Sequence, residues 1–194
     1  QSGIQFYDGI TTAEIQEILI KSASDLITLD NPNYQFVAAR LLLFAVRKSL
    51  YGKTRELPHL EQHIMSCTNQ DVYDKDIFNK YSKEEIDKVN GWIDHERDFL
   101  FTYAGLRQVV DKYLVQDRST GKVYETPQFM YMMIALTIFA EYPKERRLNY
   151  VRRYYDAISK HRINIPTPIM AGVRTPIRQF ASCVLVDSDD TLDS

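Results

Sequence analysis

Helical periodicity, punctuated by capping signals, runs from Thr11 to about Arg162 and then stops, and this break constrains the fold more than any other feature of the 194 residues. Thr11 and Glu14 have capping-box spacing, and Ile15, Ile18, Leu19, Leu26 and Ile27 follow at helical intervals, which predicts a helix over about 12–29. Asn31-Pro32 supplies a turn and a new N-cap with proline at the first helical position. The helix it opens carries Val37, Ala38, Leu41, Leu42, Leu43, Phe44 and Ala45, so its middle should be buried, and Gly52 should stop it after Tyr51. A linker with Pro58 leads to a helix over about 59–69. Ser82 and Glu85 form a second capping box, for a helix running toward Gly91, and 92–112 continues as one or two amphipathic helices.

Residues 113–125, with Gly121 at a position suited to positive φ, have the pattern of a β-hairpin. Thr126-Pro127 then caps a helix containing the longest apolar run, Phe129 to Ala140, and Pro143 ends it. From Lys144 to about His161 the chain is amphipathic, with Leu148, Val151, Tyr155 and Ile158 on one face and Arg146, Arg147, Arg152 and Arg153 largely away from it. Beyond Arg162, Pro166, Pro168 and Pro176 predict an extended approach, and Phe180 to Asp187 reads as a buried strand. The expected fold class is therefore mainly α with one β-hairpin, entering a strand-bearing unit that it does not complete.

Composition narrows the functional classes. Apolar residues make up 44% and charged residues 26%, a globular balance. A net charge of −2 gives no electrostatic case for nucleic-acid binding. The seven glycines stand alone, so no glycine-rich loop cradles a phosphate. The apolar run falls well short of the ~20 residues that cross a bilayer, and no signal peptide opens the chain. Two cysteines, Cys67 and Cys183, argue for a reducing compartment and against a disulfide scaffold. The start at Gln1 and the cap-like ending at Asp190-Thr191-Leu192-Asp193-Ser194 predict a piece of a longer protein.

Four groups of residues merit weighing as chemistry. His59, His63 and Cys67 have i, i+4, i+8 spacing, but three soft ligands lack a fourth partner, and a polar helix face is the preferred reading, with no metal. Asp94, His95, Arg97 and Asp98 pack acid, imidazole and guanidinium together; ion pairs that stabilise a helix outweigh acid–base work. The basic residues of 144–162 are best read as a solvated face. Cys183, by its spacing alone, reads first as a buried core thiol.

At Cys183 the residues also become familiar. Ile165-Pro-Thr-Pro-Ile-Met-Ala-Gly-Val-Arg-Thr-Pro-Ile-Arg-Gln-Phe-Ala-Ser-Cys183-Val-Leu resembles the large (alpha) subunit of class I ribonucleotide reductase. The resemblance continues through Gln5 to Thr12, Arg40 to Gly52, Asp94 to Asp98, Lys112 to Val115 and Tyr124 to Phe129. It implies the later part of an ATP-cone over 1–52, an all-helical domain over 53–165, and the start of an α/β barrel, with its first strand, over 166–194.

The resemblance further implies a cytoplasmic oxidoreductase that reduces ribonucleoside diphosphates to deoxyribonucleotides by thiyl-radical chemistry. Cys183 matches one member of the reducing cysteine pair, and Thr167 and Ser182 match residues lining the substrate pocket. Asp190 matches an acceptor in the specificity site that reads a deoxynucleoside triphosphate at the dimer interface. Thr12, Phe44 and Lys48 fall at ATP- or dATP-contacting positions of the cone, although the segment that opens the cone would precede Gln1. The family has no covalently bound cofactor in this subunit. Its partners are the rest of the alpha subunit, a second alpha subunit, a metal-containing beta subunit that supplies the radical, and a thioredoxin- or glutaredoxin-type reductant.

The second reducing cysteine, the thiyl cysteine and the radical-relay tyrosines match nothing before Ser194, so the chain alone is expected to be inactive. Two other readings stand beside this one: half of a split alpha subunit that needs a second chain, and a non-catalytic helical module that senses nucleotides or binds a partner. An unpartnered strand at 180–187 is expected to expose Val184, Leu185 and Val186.

Overall fold

The computed structural model describes residues 6–186, which form a mainly helical body. Helices α1 (Thr12–Asp25) and α2 (Tyr34–Tyr51) pack against each other, and α2 also lies along α6 (Tyr103–Gln108). Helix α3 (Leu60–Asn69) packs on α5 (Lys83–Asn90), with the single turn α4 (Ile77–Lys80) between them in sequence. A 3-10 helix (His95–Leu100) precedes α6, and a π turn (Val109–Tyr113) follows it. Helices α7 (Pro127–Ile138), α8 (Lys144–Ser159) and α9 (Thr167–Gly172) complete the described elements.

Helix α7 is the axis of the core. Every residue from Pro127 to Leu136 is buried, because α8, α9 and the 3-10 helix cover it from different sides. Both capping boxes form as their spacing predicts. The Thr11 hydroxyl accepts from Glu14 N at 3.2 Å while Glu14 Oε2 accepts from Thr11 N at 2.8 Å. Ser82 and Glu85 repeat the exchange at 3.3 and 2.9 Å. Gly52 stops α2 at φ +67°, a backbone state that a side chain disfavours.

Elsewhere tertiary context changed the local outcome. Helix α1 ends at Asp25, four residues short of the expected end, and α2 begins at Tyr34 after an uncapped Asn33. Residues 92–112 break at Phe101 and Thr102, where the Thr102 hydroxyl caps α6 by accepting from Gly105 N at 3.3 Å. Thr126 stands at the N-cap of α7, but its hydroxyl has no partner there. The helix ends at Ile138, and Pro143 begins α8 instead of ending α7.

The hairpin at 113–125 is reduced to a single bridge between Gln116 and Val123 around Gly121, and no ladder follows. Arg147 does not lie on a solvated face: it is buried, donates from Nε to Glu85 Oε1 at 3.0 Å, and stacks 4.2 Å over Tyr81.

Two corrections concern the end of the chain. Residues 167–172 are helical, not extended, because Pro166 sits at the N-cap and Pro168 in the first turn, where a missing N–H breaks no hydrogen bond. Residues 180–186 are extended but are neither buried nor a strand. No neighbouring strand exists among the described residues, and Val184, Leu185 and Val186 stand at 82, 102 and 80% exposure. The barrel is therefore not visible among the described residues, and no described helix is long and apolar enough to cross a membrane.

Candidate functional site

The end of the chain assembles around a salt bridge with no solvent exposure on either side chain, between Arg174 and Glu125. Arg174 Nε donates to both Glu125 oxygens, at 2.9 and 3.1 Å; one terminal nitrogen reaches Tyr113 O at 2.9 Å and the other reaches Met170 O. Glu125 is held in turn by the Tyr73 hydroxyl and by Val115 N at 2.7 Å. Because Glu125 only accepts, the direction of the chain behind it is set. Tyr73 donates to Glu125 and so accepts from His63 Nε2 at 3.0 Å, leaving His63 Nδ1 to accept from Tyr51 at 3.3 Å. That arrangement requires a neutral imidazole, and burial holds the His63 pKa at about 4.

Thr167 and Ser182 line one cavity of about 610 Å³, between the Lys112–Gln116 stretch and α9. The Thr167 hydroxyl lies 3.5 Å from Tyr113 Oη. Cys183 follows with its Sγ 3.7 Å from Ser182 Oγ, and its thiol is exposed, not buried in a core as its spacing alone had read. Thr167 and Ser182 thus line the same cavity, and the exposed Cys183 thiol follows Ser182.

At the other end Thr12 and Lys48 line a groove of about 420 Å³ between α1 and α2. Phe44 is not brought to it; its ring meets Phe99 edge to face at a centroid distance of 6.0 Å. Asp190 lies outside the described residues.

The remaining groups are structural. His63 and Cys67 are buried beside Tyr73 and Tyr124, and burial pushes the Cys67 thiol up to about 12. His59 caps α3 by accepting from Glu61 N at 3.3 Å, so the three ligands of the i, i+4, i+8 reading do not converge. A different trio, His59, Glu61 and Asp87, does converge, but Glu61 already pairs with Lys83 and Asp87 with His59. Asp98 is fully buried and accepts from Arg47 at 2.9 Å and Gln128 at 3.0 Å, which makes it a core tether.

Sequence reasoning missed Glu125, Arg174 and Tyr73. The available signal was Arg174, a charge inside the most specific motif of the chain, whose partner lies 49 residues upstream.

Comparison with known proteins matches this architecture. Residues 99–178 match the family described as "Ribonucleotide reductase, all-alpha domain". All of the chain aligns with the ribonucleoside-diphosphate reductase subunit alpha of Haemophilus influenzae at 51% identity, over 26% of that protein. The ribonucleoside-diphosphate reductase 1 subunit alpha of Escherichia coli is 50% identical over the whole chain and 25% of its own length. The enterobacteria phage T4 subunit alpha is 48% identical over 96% of the chain and 24% of its own length. The chain therefore spans about a quarter of the length of these curated relatives, and over that quarter it is similar to ribonucleoside-diphosphate reductase alpha subunits.

Proposed function

We propose that this chain is part of an oxidoreductase that reduces ribonucleoside diphosphates to deoxyribonucleoside diphosphates for DNA synthesis, and that it is inactive by itself. The observation that carries the reading is that Thr167 and Ser182 line one cavity and the exposed Cys183 thiol lies next to Ser182. In this reading the two hydroxyls donate to and accept from the ribose or phosphate of the substrate. Cys183 gives up its hydrogen and forms a disulfide with a second cysteine from the rest of the alpha subunit. The pair supplies two electrons and two protons, the 2′-hydroxyl leaves as water, and a thioredoxin- or glutaredoxin-type dithiol restores the thiols. The radical that starts the chemistry comes from a metal-containing beta subunit.

The same proposal divides the chain into an ATP-cone portion (1–52), a helical domain (53–165) and the entry to the catalytic barrel (166–194). Thr12 and Lys48, across the α1–α2 groove, are the proposed ATP or dATP contacts, with Phe44 backing α2 against Phe99. Asp190 is the proposed acceptor for a deoxynucleotide between two alpha subunits, in a cytoplasmic enzyme.

The test uses the full-length alpha subunit containing this sequence, with a beta subunit and a dithiol reductant. Cys183→Ser should remove multiple-turnover reduction, and Thr167→Ala should raise KM about tenfold, the effect of one lost hydrogen bond to a polar substrate. Wild-type turnover by the Cys183→Ser protein, or turnover by the 194-residue chain alone, overturns the reading.

A further inference from the structure

We propose that Arg174 is a positioning residue for the substrate-facing segment: its buried pairing with Glu125 holds α9, and with it Thr167, against the helical body, and sets where the run to Ser182 and Cys183 departs. The inference builds on the reductase reading given above.

The argument begins with the weakness of α9. It has six residues, two prolines flank or enter its first turn, and none of its side chains is buried. Ile169 and Met170 pack on the core but are only partly buried, so apolar contact gives α9 a shallow hold, and a helix this short has no stability of its own. The contacts that fix its direction are polar. One Arg174 nitrogen donates to Met170 O inside α9, a second to Tyr113 O, and Nε lies across the Glu125 carboxylate. Tyr113 also meets Thr167 through its hydroxyl, so the residue that Arg174 grips by its backbone touches the proposed substrate contact by its side chain.

Glu125 is a prepared anchor. Tyr73 and Val115 N occupy its oxygens from the helical body, and the residue stands two positions before the first turn of α7, which is buried from Pro127 to Leu136. A charge pair placed at zero exposure is a poor source of stability, because desolvating both ions consumes most of their attraction. Its geometry is the better explanation. A guanidinium can bind one carboxylate and two carbonyls in fixed directions, which an ammonium cannot reproduce. Downstream the grip is extended once more: Asp74 N donates to Arg174 O at 3.0 Å, and the Asp74 carboxylate pairs with Arg178.

Two measurements test this. In the 194-residue chain, Arg174→Lys should speed amide exchange at 167–175 by about tenfold or more while the α7 amides keep wild-type protection. Such a gap separates local release from global unfolding. In the full-length subunit, the same variant should lower kcat/KM for a ribonucleoside diphosphate about tenfold to a hundredfold, chiefly through KM, as expected for a misplaced substrate contact. If Arg174→Lys loosens α7 as well, Asp74→Asn replaces it. That change removes only the half-exposed outer pair and should raise KM about threefold with kcat unchanged.

Unchanged exchange at 167–175 in a folded Arg174→Lys chain overturns the proposal, and so does an unchanged KM in whichever variant is folded. A wild-type subunit that fails to reduce any ribonucleoside diphosphate overturns the reductase reading instead, and the exchange result still decides the clamp.

Discussion

Tyr155 carries the clearest consequence of a single hydroxyl in this fold. Its oxygen accepts from Asp94 N at 2.9 Å and donates to Gln128 Oε1 at 2.7 Å, while Gln128 Nε2 donates to Asp98. One atom thus ties α8 to the start of the 3-10 helix and to α7. Tyr155→Phe keeps the ring and leaves the buried Gln128 Oε1 and the part-buried Asp94 N–H without this partner, so it should cost about 1–3 kcal/mol. Urea denaturation measures this, and a loss below about 0.5 kcal/mol would show that the bridge is not needed. The residues in this network had been legible only as a local cluster, Asp94 to Asp98. Their decisive partners, Arg47, Gln128 and Tyr155, lie 51, 30 and 61 residues from the groups they bind, a separation that no local pattern encodes.

Among the elements, helix starts and stops were read best where a side chain acts on its own backbone. The capping boxes at Thr11 and Ser82 and the stop at Gly52 depend on residues within one turn, so spacing reveals them. Gly52 and Gly91 offer a matched check. Both end a helix, but Gly52 has φ +67° and Gly91 φ −66°. Gly52→Ala should destabilise by about 1 kcal/mol or more, whereas Gly91→Ala should be neutral or slightly stabilising. Thermal melts of the two variants decide, and equal shifts would contradict the backbone argument. Where prolines carried the reading, the outcome depended on position: Pro168 falls in the first turn of α9, and a proline there favours the helix it was taken to exclude. The hairpin and the strand failed for a different reason. Strand structure needs a neighbour, and the described residues supply only the one bridge at Gln116 and Val123.

On the scale of the whole molecule, the buried ionisable groups predict its response to acid. Burial holds His63 at about 4, and burial with Arg47 nearby holds His95 at about 4, both below the ordinary value near 6.5. Burial raises Asp98 to about 6 against the opposing pull of Arg47 and Gln128. Between pH 6 and 4 the unfolded chain binds two protons on these histidines that the folded chain does not, and the folded chain binds one on Asp98. The net is one proton taken up on unfolding, so these groups remove about 1.4 kcal/mol of stability per pH unit as the pH falls. The carboxylates lowered by hydrogen bonds, Glu14, Glu85 and Asp156 among them, act in the same direction lower in that range. The midpoint of thermal unfolding should therefore drop steadily from pH 6 to pH 4, and a flat profile across that window would contradict the assignment.

The sequence by itself determined the helical character of residues 12–159, the places where most helices begin, and the resemblance that brought Cys183, Thr167 and Ser182 forward. These follow from period, capping and motif, which act over a few residues. Only the tertiary structure decided that Arg147 and Arg174 are buried, that Thr167 and Ser182 share a cavity, that Phe44 turns away from the groove of Thr12 and Lys48, and that the Cys183 thiol is exposed. Each of these depends on a partner distant in the chain or, for the exposed run before Asp187, on the lack of a paired strand among the described residues. A charge can be buried only where its counter-charge arrives, and an apolar run only where something packs on it.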